Sequence, residues 1–175
     1  INAYIREDGS IYINEALTYY FTSSANGLTR DLRYYYKTSK DSMEPNSARY
    51  QGTGIEYLTV AVTNSDNIMQ NFTNVVSAEN GDNGVYNVNT VDNAQSKGYN
   101  IKVYSPISSG HYQTVHYSYI IKDAVVQYND MSEIYYNFIG NGMNVNINNL
   151  NLNIYLPTFT NMEEVKYYPH TYACE

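Results

Sequence analysis

The chain has 175 residues, enough to bury a core of its own, and is expected to form one domain spanning 1–175. A net charge of −7 and the lack of any Lys or Arg run exclude a nucleic-acid partner, because nothing would neutralise phosphates. No stretch approaches the roughly 18 consecutive apolar residues of a membrane span, and 22 Tyr with comparably abundant Asn suit strands joined by many turns.

In chain order, residues 2–7 and 10–22 read as a hairpin about Asp8-Gly9, a dipeptide that supplies the positive backbone angles of a tight turn. Ile11, Ile13, Leu17, Tyr19 and Phe21 share one face of its second strand, by period-two alternation. Ser23 to Gly27 makes a turn, Leu28 to Tyr36 is a short segment of open type, and Lys37 to Gly54, with Pro45, is an exposed loop. Ile55 to Thr63 alternates as a strand. Asn64 to Asn83 fits either a helix, through Ile68, Met69, Phe72, Val75 and Val76, or an edge strand.

Val85 to Val91 and Tyr99 to Ser105 are strands, and Pro106 to Gly110 turns into a long strand from His111 to Gln127 with a bulge near Lys122-Asp123. Asp130 and Glu133 have capping-box spacing and predict one short helix closed by Gly140 or Gly142. Ile147 to Leu156 alternates through Leu150, Leu152, Ile154 and Leu156 until Pro157 ends it, and Met162 to Tyr172 has room for one more strand. The whole predicts a mainly all-β fold: an antiparallel β-sandwich with Greek-key-like connections and one short helix.

Glu15 breaks the alternation, since a carboxylate on the apolar face needs a partner. Arg30 and Arg33 are the candidates, and a structural ion pair between Glu15 and Arg30 is expected. Glu79, Asp82 and Asp92 are possible calcium ligands around a glycine-bent loop, although the EF-hand spacing and its closing Glu are absent, which favours a plain hairpin loop. No other cofactor is indicated. Tyr34, Tyr35, Tyr36, Tyr167 and Tyr168 form a possible binding surface, because adjacent tyrosines on a strand must place some rings outward.

His111, His116 and His170 carry no catalytic motif, and the five-residue spacing of the first two suits opposite strand faces better than a shared metal. Cys174, the single cysteine, permits no internal disulfide. That favours the cytosol in general, but does not exclude the surface of organisms that build extracellular domains without disulfides. The chain reads as a piece excised from a longer protein, with any anchor lying outside it.

The order of the motifs resembles the N-terminal, extracytoplasmic region of the membrane-protein family known as domain of unknown function 2207. The matching positions are Asp8-Gly9-Ser10, Glu15, Tyr20-Phe21, Gly27-Leu28-Thr29-Arg30, Tyr117-Ser118-Tyr119 with Lys122-Asp123-Ala124-Val125, Glu133 to Gly140, and Leu150 to Pro157. The resemblance covers about residues 4–157, and departs where Tyr136 stands in place of the family's usual Trp. It implies a domain outside the cell membrane of an anchored parent protein, and no reaction. The expected function is a non-catalytic interaction or sensing domain for an unknown protein or envelope component. A structural module of a membrane assembly and an envelope-acting hydrolase are the alternatives.

Overall fold

The computed structural model describes residues 1–37, 50–140 and 145–169. Thirteen strands are present among them and no helix. The strands are β1 (Asn2–Ile5), β2 (Ile11–Tyr20), β3 (Ala25–Tyr36), β4 (Tyr50–Gln51), β5 (Gly54–Thr63), β6 (Met69–Asn71), β7 (Thr73–Asn74), β8 (Val85–Asp92), β9 (Ser96–Ile107), β10 (Tyr112–Lys122), β11 (Val126–Gln127), β12 (Ser132–Glu133) and β13 (Asn153–Tyr155). One sheet has the order β13-β1-β2-β10-β5-β6 and a second β4-β3-β9-β8-β7, with β11-β12 as a separate ribbon.

The two large sheets face one another across a shared apolar layer. Ile11, Ile13, Val60, Val62, Val115 and Ile121 enter it from the first sheet, and Leu32, Tyr86, Ile101 and Val103 from the second. Alternation explains this directly. In β10 every second residue from Gln113 to Ile121 is buried, and in β2 Ile11, Ile13 and Glu15 are buried between partly exposed neighbours. Some sheet neighbours are consecutive in sequence, but the centres are not: β10 lies between β2 and β5, and β9 pairs with β3. Chain corners between the sheets are tied by backbone bonds, as where Phe21 N donates to His111 O and Gly110 N donates to Phe21 O.

The first hairpin differs from a two-residue turn. Only Gly9 has a positive φ, +78°, while Asp8 instead accepts hydrogen bonds from the Ser10 hydroxyl and amide, which hold its carboxyl below the ordinary range.

Several expectations are corrected. No helix follows Asp130. Ser132 and Glu133 pair with Gln127 and Val126 in a ribbon, and Asn137 Oδ1 then accepts from the Ile139 and Gly140 amides, so the local bonds close a turn instead of a helical ladder. Gly142 lies outside the described residues. Leu28 to Tyr36 belongs to a twelve-residue strand that begins at Ala25, inside the expected turn. Asn64 to Asn83 holds the short strands β6 and β7, which leave one sheet and join the other as Phe72 N donates to Val60 O. The strand after His111 stops at Lys122, where Asp123 takes a left-handed φ of 50°. In the C-terminal stretch only Asn153–Tyr155 is strand, paired in parallel with β1 at a sheet edge. Nothing in the described structure covers its apolar face, so Leu150, Leu152 and Ile154 remain exposed. No strand occurs over 162–169, and the rest of that expected element, with His170 and Cys174, lies outside the described residues. So does Pro45 in the loop before β4.

Candidate functional site: a buried ion pair and an aromatic outer face

At mid-length β2 turns Glu15 into the core, and β3 in the opposite sheet turns Arg30 toward it. Both are almost fully buried, at 2% and 3% exposure. The pair is bidentate: Arg30 Nε donates to Glu15 Oε2 at 3.0 Å, and Nη2 to Oε1 at 2.9 Å. Tyr119, on β10, donates its hydroxyl to Glu15 Oε1 at 2.6 Å. Arg30 spends its other donors on a loop, with Nη1 to Ile139 O at 2.5 Å and Nη2 to Phe138 O at 3.0 Å. One guanidinium thus joins two sheets and the 138–140 turn. Gly140 is part of the same fit: its φ is +82°, and a Cβ there would meet Arg30 Nη1 at 2.9 Å.

The electrostatics follow from burial. Burial alone opposes the charge on Arg30, but the Glu15 carboxylate outweighs it and moves the arginine above its ordinary pKa. Burial raises Tyr117 and Tyr119 far above the usual phenol range. Both tyrosines are therefore neutral donors at any physiological pH. Their hydroxyls differ in one respect, since that of Tyr117 is buried with no partner. Tyr119→Phe is accordingly expected to lower stability by about 1–3 kcal/mol, and Tyr117→Phe to leave it within about 0.5 kcal/mol or raise it. Urea unfolding of the two variants side by side checks this.

Arg33, the other candidate partner of Glu15, instead pairs with Asp31 at 3.4 Å and donates to Tyr99 O. The suggested calcium ligands do not come together. Asp82 Oδ2 caps its own loop by accepting from Glu79 N at 2.7 Å, whereas Asp92 ends the eight-residue β8 and pairs with Lys97. Eight strand residues separate the two ends by roughly 25 Å. Among the described residues no three His, Cys, Asp or Glu side chains cluster as a metal site. His111 is exposed in a turn, while His116 lies on the outer face of β10, bonded to Thr63 and shifted below its usual pKa by burial.

The tyrosines divide differently from expectation. Tyr34, Tyr35 and Tyr36 are half-buried, Tyr34 against the core, whereas Tyr167 and Tyr168 are exposed on the C-terminal stretch. A second exposed set, not singled out from the sequence as a surface, lies on the outer face of the first sheet. Tyr4 stacks on Tyr155 with centroids 4.5 Å apart and planes at 8°, and Tyr12 continues the row beside Arg6. Tyr20 and Tyr112, cross-strand partners of β2 and β10, pack at 4.8 Å while each stays more than half exposed. The signal was present in the period-two pattern, because these residues fall on the face opposite Ile11 and Ile13.

The molecule is thus an all-β module with two sheets pinned by a buried ion pair and one sheet carrying aromatic rings outward. The chain belongs to the family described as "Predicted membrane protein (DUF2207) N-terminal domain", whose model matches residues 1–175. No curated protein and no solved structure matches it. Among the described residues no helix is long and apolar enough to cross a membrane.

Proposed function

We propose that this is an extracytoplasmic, non-catalytic interaction or sensing domain of a membrane-anchored protein, recognising a protein or an envelope component. The carrying observation is the outer face of the first sheet, where Tyr20 and Tyr112, and Tyr4 with Tyr155, present exposed rings from a rigid framework. Tyrosine suits this role because it offers a large flat apolar surface and a hydroxyl while losing little conformational freedom on binding. Family membership supports the membrane attachment, and the anchor would come from other segments of the parent protein.

In the test, the purified chain is sedimented with isolated envelope of its source cell, and reporter fusions record which side of the membrane the domain occupies. Retention of the unaltered chain, lost on the double change Tyr20→Ser with Tyr112→Ser at unchanged melting temperature, is expected. Equal sedimentation of the two proteins would remove this face from the reading, and a cytoplasmic reporter signal would remove the location.

A second reading, a structural module of a membrane assembly, is favoured by the C-terminal stretch, which exposes Ile147, Leu150, Leu152, Phe159 and Met162. On that reading these side chains would be covered by another part of the assembly, and the outer tyrosines would have no separate ligand.

A further inference from the structure

One end of the sandwich holds an open cleft of about 300 Å³, formed where β9 crosses to β10, at the turn between β5 and β6, and at the loop entering β8. Its innermost residues are Gln113 and Ser105, exposed only 4% and 5%. They bond across the two sheets, Gln113 Nε2 donating to Ser105 Oγ at 2.7 Å. The other end of that amide, Gln113 Oε1, is buried without a partner. Exchanging the amide oxygen and nitrogen does not cure this, because a serine hydroxyl can satisfy only one end at a time as they are placed. Asn87 Oδ1 and the Tyr117 hydroxyl are in the same condition among the described residues, but of the three only Gln113 lines the cleft.

Two further amides stand on the walls, Gln70 and Asn83, both exposed and neither with a side-chain hydrogen bond among the described residues. Gln70 Nε2 lies beside Gly84, where a Cβ would stand 3.0 Å from it. Phe72, half-buried, supplies an apolar wall beside aliphatic neighbours. Among the described residues no Asp, Glu, Lys or Arg lines the cleft, and His111 is the one titratable residue.

We infer that the cleft binds a neutral, hydroxyl-rich ring, one sugar residue of an uncharged glycan. Amides pair with hydroxyls because each offers a donor and an acceptor, and vicinal hydroxyls offer the same to each amide in turn. The apolar wall takes the ring's C–H face. Without charged walls the site has nothing to balance an ionic ligand, and its volume, at the small end of ligand clefts, suits one ring. On binding, a ligand hydroxyl donates to Gln113 Oε1 while Nε2 keeps its bond to Ser105 Oγ. This inference is independent of the tyrosine face, which lies on the outside of the first sheet.

The test is NMR of the purified chain labelled with nitrogen-15, titrated with glucose, galactose, N-acetylglucosamine and their short neutral oligomers. Glucuronic acid and a neutral extended peptide serve as controls. At least one neutral saccharide is expected to shift the side-chain amide signals of Gln113, Gln70 and Asn83 together. Gln70→Ala and Asn83→Ala, at exposed positions that leave the fold intact, are expected to weaken that saccharide about tenfold each. Tyr20→Ser with Tyr112→Ser should leave it unchanged, so that failure of the cleft and failure of the tyrosine face are told apart. The inference is overturned if no neutral saccharide moves those amides at tens of millimolar. It is equally overturned if glucuronic acid or the peptide binds as well as the best neutral sugar, or if both rim variants keep full affinity.

Discussion

Glu15→Ala is expected to reduce the unfolding free energy by about 3–5 kcal/mol, the range for removing one partner of a buried pair. The cost comes from what is left behind. Arg30, 3% exposed, would keep its charge in the core with no carboxylate to face it, and Tyr119 would lose the acceptor of its 2.6 Å hydrogen bond. For a chain of this size the melting temperature should fall by about 10 °C. Urea unfolding with a fitted slope measures it, and a midpoint unchanged within error would show that the pair is not what holds the sheets together. Replacing both members by apolar residues often restores a protein that carried an isolated buried pair. Here recovery should be incomplete, because Arg30 also satisfies Phe138 O and Ile139 O, which Glu15→Leu with Arg30→Met would leave without donors. The same double variant should make the 138–140 backbone amides exchange faster than the core strands.

Gly27→Ala is expected to cost about 2–4 kcal/mol. Gly27 has a φ of +147°, and a Cβ placed on it would stand 1.9 Å from Val103 O and 2.9 Å from Val103 C, both backbone atoms of the neighbouring strand. No rotamer change relieves such a clash, so β3 must move away from β9. The register of these two strands shifts between Ala25 and Gly27, which marks the site as a bulge that lets β3 settle beside β9. Since Arg30 lies three residues on, the displacement would also loosen its approach to Glu15. The double variant Gly27→Ala with Glu15→Ala should therefore be less destabilised than the sum of the two singles. Strict additivity would place the bulge and the ion pair in separate units.

These two positions give physical content to short motifs. The Gly-x-x-Arg element at Gly27 to Arg30 is a bulge glycine followed by the arginine that crosses the sandwich. The element from Glu133 to Gly140 supplies both carbonyls, of Phe138 and Ile139, and the bare α-carbon against which that arginine rests. Tyr119, in the Tyr-Ser-Tyr strand, completes the carboxylate's bonds. Residues spread over more than one hundred positions form one connected polar unit inside an apolar layer.

Strand existence was legible in most of the long strands, because burial of one face of a pleated strand leaves a period of two in the sequence, but the residues of β3 leave its type open. β2 and β10 follow that pattern, with Tyr117, Tyr119 and Ile121 on one inner face, whereas in β5 a left-handed Tyr57 interrupts it and Val60, Ala61 and Val62 are buried in succession. A single charge interrupting the pattern also pointed to Glu15, and the nearest following arginines limited its partners to two. Which arginine crosses the sandwich was decided by parity along β3: Arg30 and Leu32 point inward, and Arg33 outward to Asp31.

What the sequence determined by itself was the all-β class, the first hairpin, the inward faces of β2 and β10 and the anomaly at Glu15, all consequences of local geometry and of hiding apolar side chains from water. Only the tertiary structure decided the rest. The stretch after Asp130 carries a helical cap signal, but its carbonyls are claimed by Arg30 from another sheet, and that long-range bond outweighs a local preference. The alternation of Leu150 to Leu156 reads as a buried strand, yet a period of two does not reveal whether anything covers the apolar face. The cleft over Gln113 was likewise invisible, because its walls come from three separate segments that meet only when the sheets close.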